Sequence, residues 1–302
     1  MEKILIAGGS GLIGREIIRQ LDSEDYIIHI LSRSTHEDTE QVKYFQWDLK
    51  KQWIEEGATE VDFIINLAGA GIADKKWTDA RKKILIDSRV QSASCIQKAL
   101  ESQSSKVKAY ISASAIGFYG DSGDQWVDET SSPADSGFLS KCTVQWEKAA
   151  EKLATVVNRV AIIRIGIVLA SDGGAFQKMM IPFQFRMASY FDDGSMYYSW
   201  IHIEDIARTF IHAFRQNDIS GVFNGVAPEV VTNKKMVETI KDVKSGWHLL
   251  NPVPTAALRL AMGEMADVVL TSNRVQSEKI VKAGFEFKYP KLEPAIRALL
   301  KH

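Results

Sequence analysis

The stretch Lys3-Ile4-Leu5-Ile6-Ala7-Gly8-Gly9-Ser10-Gly11-Leu12-Ile13-Gly14-Arg15-Glu16-Ile17-Ile18-Arg19-Gln20-Leu21 decides the fold. The apolar run from Ile4 to Ala7 reads as a buried strand, and Arg15 to Leu21 carries its apolar residues at helical spacing. Between them glycine recurs at Gly8, Gly11 and Gly14, while Gly9, Gly11 and Gly14 satisfy G-x-G-x-x-G. A strand that turns through bare backbone into a helix brings N–H groups and a positive helix terminus to one point, which suits a pyrophosphate. Gly8, Gly9, Ser10, Gly11, Leu12, Ile13 and Gly14 are therefore the expected cradle of a dinucleotide. A Cβ at any of the recurring glycines is expected to obstruct that approach.

Further along, continuous apolar strands are expected at Tyr26 to Leu31, Val42 to Trp47, Val61 to Leu67, Val107 to Ala113 and Val160 to Leu169. They alternate with helical patterns, of which Thr78 to Leu100 and Phe138 to Ala154 are the longest. That alternation is the signature of a parallel sheet covered on both faces. The expected class is α/β, a Rossmann-like doubly wound parallel sheet with a smaller, mainly helical C-terminal lobe. After Leu169 the rhythm changes: Ser171-Asp172-Gly173-Gly174 is loop chemistry, Lys178 to Tyr190 is rich in Met and Phe, and from Leu250 helices predominate between prolines. Residues 1–170 are read as the dinucleotide-binding domain, with 195–232 returning to it. Residues 171–194 and 233–302 are read as a substrate-binding cap.

With 302 residues and 45% hydrophobic content, the chain can bury one large core or a core with a smaller lobe. Its 37 basic residues face 38 acidic ones, which argues against nucleic acid or an anionic membrane as a partner and leaves small molecules or proteins. Cys95 and Cys142 form no C-x-x-C pair, and the six histidines show no H-E-x-x-H, so neither a disulfide scaffold nor a metal site is expected. The N-terminus lacks a signal-type apolar region, and no apolar run approaches the length of a membrane span. A soluble, cytoplasmic protein is the expectation, with substrate, oligomeric state and protein partners left open.

In a dinucleotide fold the end of the second strand meets the adenosine ribose, where an acidic residue selects a free 2′-hydroxyl and an Arg accommodates a 2′-phosphate. Here that strand ends Leu31-Ser32-Arg33-Ser34, with Arg33 placed 19 residues after Gly14. Ser32, Arg33 and Ser34 therefore favour NADP(H) over NAD(H). Asp48, just after the third strand, is a candidate acceptor for the adenine amine, or equally a solvated loop carboxylate.

The combination resembles the extended short-chain dehydrogenase/reductase superfamily, in the branch that holds NAD(P)-dependent epimerases and dehydratases. Within it, the chain is similar to a bacterial subgroup of epimerase family proteins with a distinctive C-terminal domain. The resemblance rests on Ala7 to Gly14, Asn66-Leu67-Ala68-Gly69-Ala70, Ser88-Arg89-Val90, Ser112 to Gly120, Ser199-Trp200-Ile201-His202, Gly263-Glu264-Met265-Ala266 and Gly284-Phe285-Glu286-Phe287. It departs from the subgroup at Ser189-Tyr190-Phe191-Asp192-Asp193, where relatives carry a glycine-rich stretch. The resemblance implies that Leu67, Ala68 and Gly69 run along the dinucleotide, and that Arg164 to Val168, including Gly166 and Val168, passes near the nicotinamide.

It also implies a Tyr and, four residues later, a Lys on one helix face, the tyrosine transferring a proton and the ammonium lowering its pKa. Phe138 and Cys142 stand at those positions. Lys141 is the neighbouring candidate, set against a solvated surface lysine. Ser114, with Ser112 as its competitor, occupies the strand end that supplies the hydroxyl for a substrate carbonyl. Tyr119 is the nearest phenol able to replace the missing acid, set against a core-packed tyrosine. Cys142 reads as buried and inert, or as a nucleophile only if its pKa were depressed, toward which the adjacent Lys141 points; Trp146 reads as packing, Glu147 as solvated or helix-capping, Asp205 as favourable at a helix N-terminus, and His202 as structural or facing substrate. Two functions follow: an NADP(H)-dependent oxidoreductase or epimerase with altered acid–base residues, acting on a small carbonyl or a nucleotide-sugar-like molecule; or a non-catalytic NADP(H)-sensing or structural protein that presents its C-terminal lobe to a partner.

Overall fold

A computed structural model describes residues 1–21, 26–103 and 106–301. β1 (Glu2–Ala7) leads through the glycine turn into α1 (Leu12–Gln20), and β2 (Tyr26–Ser32), β3 (Val42–Asp48), β4 (Trp53–Ile54) and β5 (Phe63–Asn66) follow. Next come α2 (Asp79–Leu100), β6 (Ala109–Ala115), β7 (Trp126–Val127), α3 (Phe138–Glu151), β8 (Val160–Ile165) and β9 (Ile167–Ala170). The chain continues through α4 (Gly174–Gln184), β10 (Met187–Phe191), β11 (Tyr197–Tyr198), β12 (Trp200–His202), α5 (Ile203–Arg215) and β13 (Gly221–Gly225). It closes with β14 (Val231–Thr232), α6 (Asn233–Lys244), β15 (Leu249–Val253), α7 (Thr255–Met262), α8 (Asp267–Leu270), β16 (Arg274–Val275), α9 (Glu278–Lys282) and α10 (Leu292–Leu299).

Eight strands form the central sheet in the order β13-β8-β6-β5-β1-β2-β3-β4, parallel except for the β3–β4 hairpin. Alternate residues of each strand enter opposite layers. Ile4, Ile6, Ile28, Ile30, Ile111 and Ile163 pack beneath Ile17 of α1 and Ile206, Phe210 and Phe214 of α5. Leu5, Ala7, Leu31 and Ile64 pack with Ile96 of α2 and Ala149 and Ala150 of α3. Each large side chain so buried contributes about 1.5–3 kcal/mol relative to exposure. The α/β class read from the sequence is borne out.

The chain runs outward from β1 through β2 and β3, then crosses back to β5, β6 and β8. Strand order therefore reverses between β1 and β5, and their carboxyl ends frame the crevice where ligands bind in such sheets. A third core lies beyond those ends, where Phe176 and Phe183 of α4 meet Met236 and Ile240 of α6 and Leu292, Ile296 and Leu299 of α10. Side-chain hydrogen bonds fasten the C-terminal segments. Buried Asp205 accepts from the backbone N–H groups of Lys288 and Tyr289, both at 2.8 Å. Ser199 donates to the Asn273 carbonyl at 2.8 Å and accepts from Val275 N–H at 2.9 Å.

Two expectations need correction. The run from Val160 to Leu169 is two strands rather than one, because the chain leaves the central sheet at Gly166. There Gly166 N–H reaches the Gly225 carbonyl, Ile167 N–H reaches Ser199, and β9 pairs with β12. A Cβ on Gly166 would lie 2.5 Å from the Ser199 oxygen, so only glycine allows the crossing. The strand–helix alternation also lapses after β2, where residues 33–41 are non-helical and β3 turns directly into β4.

Candidate functional site

At the strand reversal, Gly8 adopts φ 86°, and a Cβ there would meet the Leu67 carbonyl carbon at 2.9 Å. A Cβ on Gly14 would meet Gly8 O at 2.5 Å and Gly9 Cα at 2.6 Å. Gly11 differs, since its Cβ would find Gly8 O alone, at 3.2 Å. The expectation that all three glycines spare a ligand is therefore refined. Gly8 and Gly14 let the backbone pack on itself, while Gly11 keeps the front of the turn open. Gly11 is the N-cap of α1 and supplies no side-chain acceptor, so the first N–H groups of the helix, with Leu12, Ile13 and Gly14, keep donors for an anion.

Ser32, Arg33 and Ser34 form a turn at the end of β2. Ser34 N–H donates to Ser32 Oγ at 3.2 Å, and Ser34 Oγ lies 3.0 Å from His36 Nε2. Arg33 is exposed and has no carboxylate partner among the described residues. Asp48 accepts from the N–H groups of Lys50 and Lys51 through Oδ1, at 2.9 and 3.2 Å, while its Oδ2 faces the Lys51 ammonium at 3.8 Å. Leu67 N–H bonds Ala7 O at 2.8 Å and Ala68 N–H bonds Asn66 Oδ1 at 3.1 Å, bringing Leu67, Ala68 and Gly69 beside the glycine turn. An open turn, an uncapped helix terminus and a free guanidinium on one sheet edge fit a phosphorylated dinucleotide.

Of the candidate catalytic side chains, Ser114 and Tyr119 meet through one buried ion pair, Glu147 with Arg164, while Lys141 stands apart. Ser114 is buried and donates to Glu147 Oε1 at 2.6 Å. Ser112, also buried, donates to the Ala113 carbonyl. Tyr119 accepts from Arg164 Nη1 at 2.9 Å and donates to Asn224 Oδ1 at 2.7 Å, and burial pushes its phenol up to about 12. Lys141 is exposed on α3. Phe138 stacks edge-on against Trp77, with the Lys82 ammonium 5.6 Å from its ring centre. Glu147, expected to be solvated or to cap a helix, is instead buried and bidentate to Arg164, at 2.8 Å from both Nε and Nη2. That correction explains why Ser114 faces inward. Its acceptor is a carboxylate fixed by a cation in the core.

Beyond the carboxyl ends of β6 and β8 lies a cavity of roughly 290 Å³ walled by Ile116, Leu139, Ile167, Tyr197 and Val268. Gly166 and Cys142 also line it. Burial pushes the Cys142 thiol up, away from a reactive thiolate. The polar members of the wall are residues to which the sequence reading assigned no chemistry. Arg89 donates to the Ala70 and Leu85 carbonyls at 3.1 and 2.9 Å and stacks 4.9 Å from the Trp146 ring centre. Burial holds its guanidinium below the usual value, and no carboxylate pairs with it among the described residues. Trp146 Nε1 and Asn273 Oδ1 are buried without partners among the described residues. One signal for Arg89 lay in α2, where it falls on the stripe of Leu85, Ser92 and Ile96, a buried face. His202 is elsewhere: its Nδ1 caps α5 by accepting from Glu204 N–H at 3.2 Å. Among the described residues no group of acidic, His and Cys side chains could hold a metal ion, and no helix is long and apolar enough to cross a membrane.

Residues 4–224 match the model of the NAD dependent epimerase/dehydratase family, and residues 253–299 match a domain of unknown function, DUF1731. An epimerase family protein of Staphylococcus saprophyticus is 34% identical over 301 residues, covering 99% of this chain and 100% of its own. One from Staphylococcus aureus is 32% identical over 306 residues, with both chains fully covered. The crystal structure of human epimerase family protein SDR39U1 with NADPH superposes with a TM-score of 0.91, at 27% identity over 99% of each chain. A nucleoside-diphosphate sugar epimerase from Corynebacterium glutamicum gives a TM-score of 0.79 at 27% identity, over 99% of this chain and 58% of that one. The resemblance read from the motifs is borne out.

Proposed function

This chain belongs to the NAD dependent epimerase/dehydratase family, and from that premise we propose that it is an NADP(H)-dependent oxidoreductase acting on a small carbonyl or alcohol. The observation that carries this reading is the open glycine turn at Gly11 on the same sheet edge as the unpaired Arg33 and the cavity walled by Gly166. The human relative's structure with NADPH supports it. Gly11 and the N-terminus of α1 would hold the pyrophosphate, Arg33 with Ser32 and Ser34 the 2′-phosphate, and Leu67 to Gly69 the line of the dinucleotide. Such a cofactor, when bound, supplies a hydride donor or acceptor.

The chain's own residues then bind and orient the substrate. The apolar cavity excludes water, and Arg89, Trp146 and Asn273 provide its polar anchors. The geometry speaks against Ser114, Tyr119 and Lys141 as proton carriers, since the first two are hydrogen-bonded within the core and the third is exposed. Phe138 and Cys142 support a second reading, a protein that holds NADP(H) without turnover. Nicotinamide fluorescence on titration with NADPH and NADH tests the first step, and absorbance at the nicotinamide band across carbonyls and nucleotide sugars tests the second. The oxidoreductase reading expects binding and turnover of some carbonyl. Binding without turnover across the panel favours the second reading, and absence of NADPH binding overturns both.

A further inference from the structure

We propose that the cavity between the sheet and the C-terminal lobe takes a small, mostly apolar carboxylic acid, its carboxylate held by Arg89 and Trp146 and a hydroxyl or carbonyl group held by Asn273. This deepens the oxidoreductase reading by naming the substrate class of the pocket beside the cofactor cradle.

A cation withdrawn from water is normally paired, because burial without a counter-charge costs more than the side chain's packing returns. Arg89 lines the cavity without such a partner among the described residues, and another arginine, Arg81, adds to the burial that lowers its pKa. Its Nη1 is occupied by two carbonyls, while Nε and Nη2 make no hydrogen bond among the described residues. That free edge is the fork that matches a carboxylate through two parallel hydrogen bonds.

Two further polar atoms are left over on the same walls. Trp146 and Asn273 are each only 6% exposed, and Trp146 Nε1 and Asn273 Oδ1 have no partner among the described residues. Three hydroxyls around them are already satisfied: Thr143 donates to Leu139 O, Thr271 to Asp267 O and Tyr198 to Val269 O. Among the described residues, unmet polar demand in an otherwise apolar cavity therefore falls on one cation, one indole N–H and one amide, with the Tyr197 hydroxyl on the same wall as a further group without a hydrogen bond. Buried polar groups ordinarily find partners, and a ligand with a matching set supplies them.

A nucleotide sugar fits poorly. The cavity is small, roughly 290 Å³, just below the about 300–1,000 Å³ that ligand sites span. The cations near its far side are already neutralised, Lys82 by Glu264 and Arg259 by Asp267. A diphosphate would meet a single free positive charge.

Calorimetric titration of the purified protein, with and without NADPH, tests the assignment using 2-oxooctanoate, its neutral analogue 2-octanone and UDP-glucose. The acid is expected to bind roughly tenfold or more tightly than the ketone, the scale of a charge-assisted hydrogen bond. Arg89→Gln should abolish that preference while NADPH affinity stays within about twofold, and Trp146→Phe should weaken the acid by roughly threefold to tenfold. Equal binding of acid and ketone, tighter binding of UDP-glucose, or an equal loss of NADPH affinity in Arg89→Gln would each overturn the proposal. The three-ligand comparison on the unmodified protein decides the matter even if a variant misfolds. Acid binding without NADPH binding would uphold this pocket and sink the cofactor reading; NADPH binding without acid binding would do the reverse.

Discussion

The Ser114 hydroxyl donates a 2.6 Å hydrogen bond to Glu147, whose two oxygens are in turn held at 2.8 Å by Nε and Nη2 of Arg164. Arg164 passes the connection to Tyr119, which ends on Asn224. A strand-end hydroxyl and a phenol, both candidates for work on a substrate, are thus parts of one ion-paired support that joins β6, α3, β8 and β13. Its charged members have side chains only 6% and 4% exposed.

Removing one member of that pair leaves the other charge buried and unmatched. Glu147→Gln is expected to destabilise the fold by about 3–5 kcal/mol, the usual scale for breaking a buried pair from one side. Replacing both partners, Glu147→Leu with Arg164→Met, should cost less than the sum of the single changes because the residues share one interaction. Urea midpoints of the three variants give the comparison, and an unchanged midpoint for Glu147→Gln would show that the network supports nothing.

The glycines of the first turn should separate by function. Gly11 has φ −74° and ψ 171°, a conformation open to other residues, and it caps α1. An aspartate there is a good N-cap and suits the helix dipole, while setting a carboxylate where a pyrophosphate would lie. Gly11→Asp is therefore expected to keep or raise Tm and to abolish NADPH binding. Gly14→Ala forces a Cβ to 2.5 Å from Gly8 O, and overpacking of that kind costs about 1–3 kcal/mol. Thermal melts and NADPH titrations of the two variants should give opposite patterns.

The parts of this protein that were legible in sequence are those with a local cause. The glycine turn, the strand of Ile4 to Ala7 and the Thr78 cap of α2, whose hydroxyl accepts from Arg81 N–H, depend on a few consecutive residues. What escaped depends on distant ones. Glu147 reads as an ordinary charged residue on a helix until Arg164, 17 positions later, is seen across the sheet layer. Gly166 broke an apparently continuous strand because Ser199 approaches it, an encounter that no local pattern encodes. Trp146 looked like packing, and it does pack; its unpaired N–H becomes informative only when Arg89 and Asn273 are found around the same cavity.

Arg33 should decide between phosphorylated and unphosphorylated dinucleotide. It is exposed at the end of β2 with no carboxylate to satisfy it among the described residues. A hydrogen-bonded contact to a charged group contributes about 1.5–3 kcal/mol, so Arg33→Ala should lower NADPH affinity by roughly tenfold to a hundredfold and leave NADH affinity nearly unchanged. Parallel fluorescence titrations with the two dinucleotides measure the ratio. Equal losses for both would remove Arg33 from the 2′-phosphate site.

His202 should make stability depend on pH on the acid side of neutrality. Burial holds its imidazole below the ordinary value of 6.5, against the opposing pull of Glu204, Asp205 and Glu16 and with a smaller push from Lys288. In the window from about 6.5 down to its lower folded pKa, the unfolded chain binds the proton and the folded one does not, so stability rises with pH there. It is full above about 6.5 and is lost as pH falls through the folded value. His29, also lowered by burial, adds a slope of the same sign. The lowered carboxylates, Asp62 and Glu204 among them, lose their contribution below the ordinary carboxylate values of 3.8 and 4.5, outside this window. His202→Asn keeps an acceptor for the Glu204 N–H while removing the titrating ring and its 4.0 Å contact with Tyr289. The lost contact lowers stability equally at every pH, so the slope rather than the level isolates the proton. Between about pH 7 and pH 5 the fall in Tm should be shallower in His202→Asn, with the remainder carried by His29; an unchanged slope would mean that the folded and unfolded chains protonate His202 equally readily.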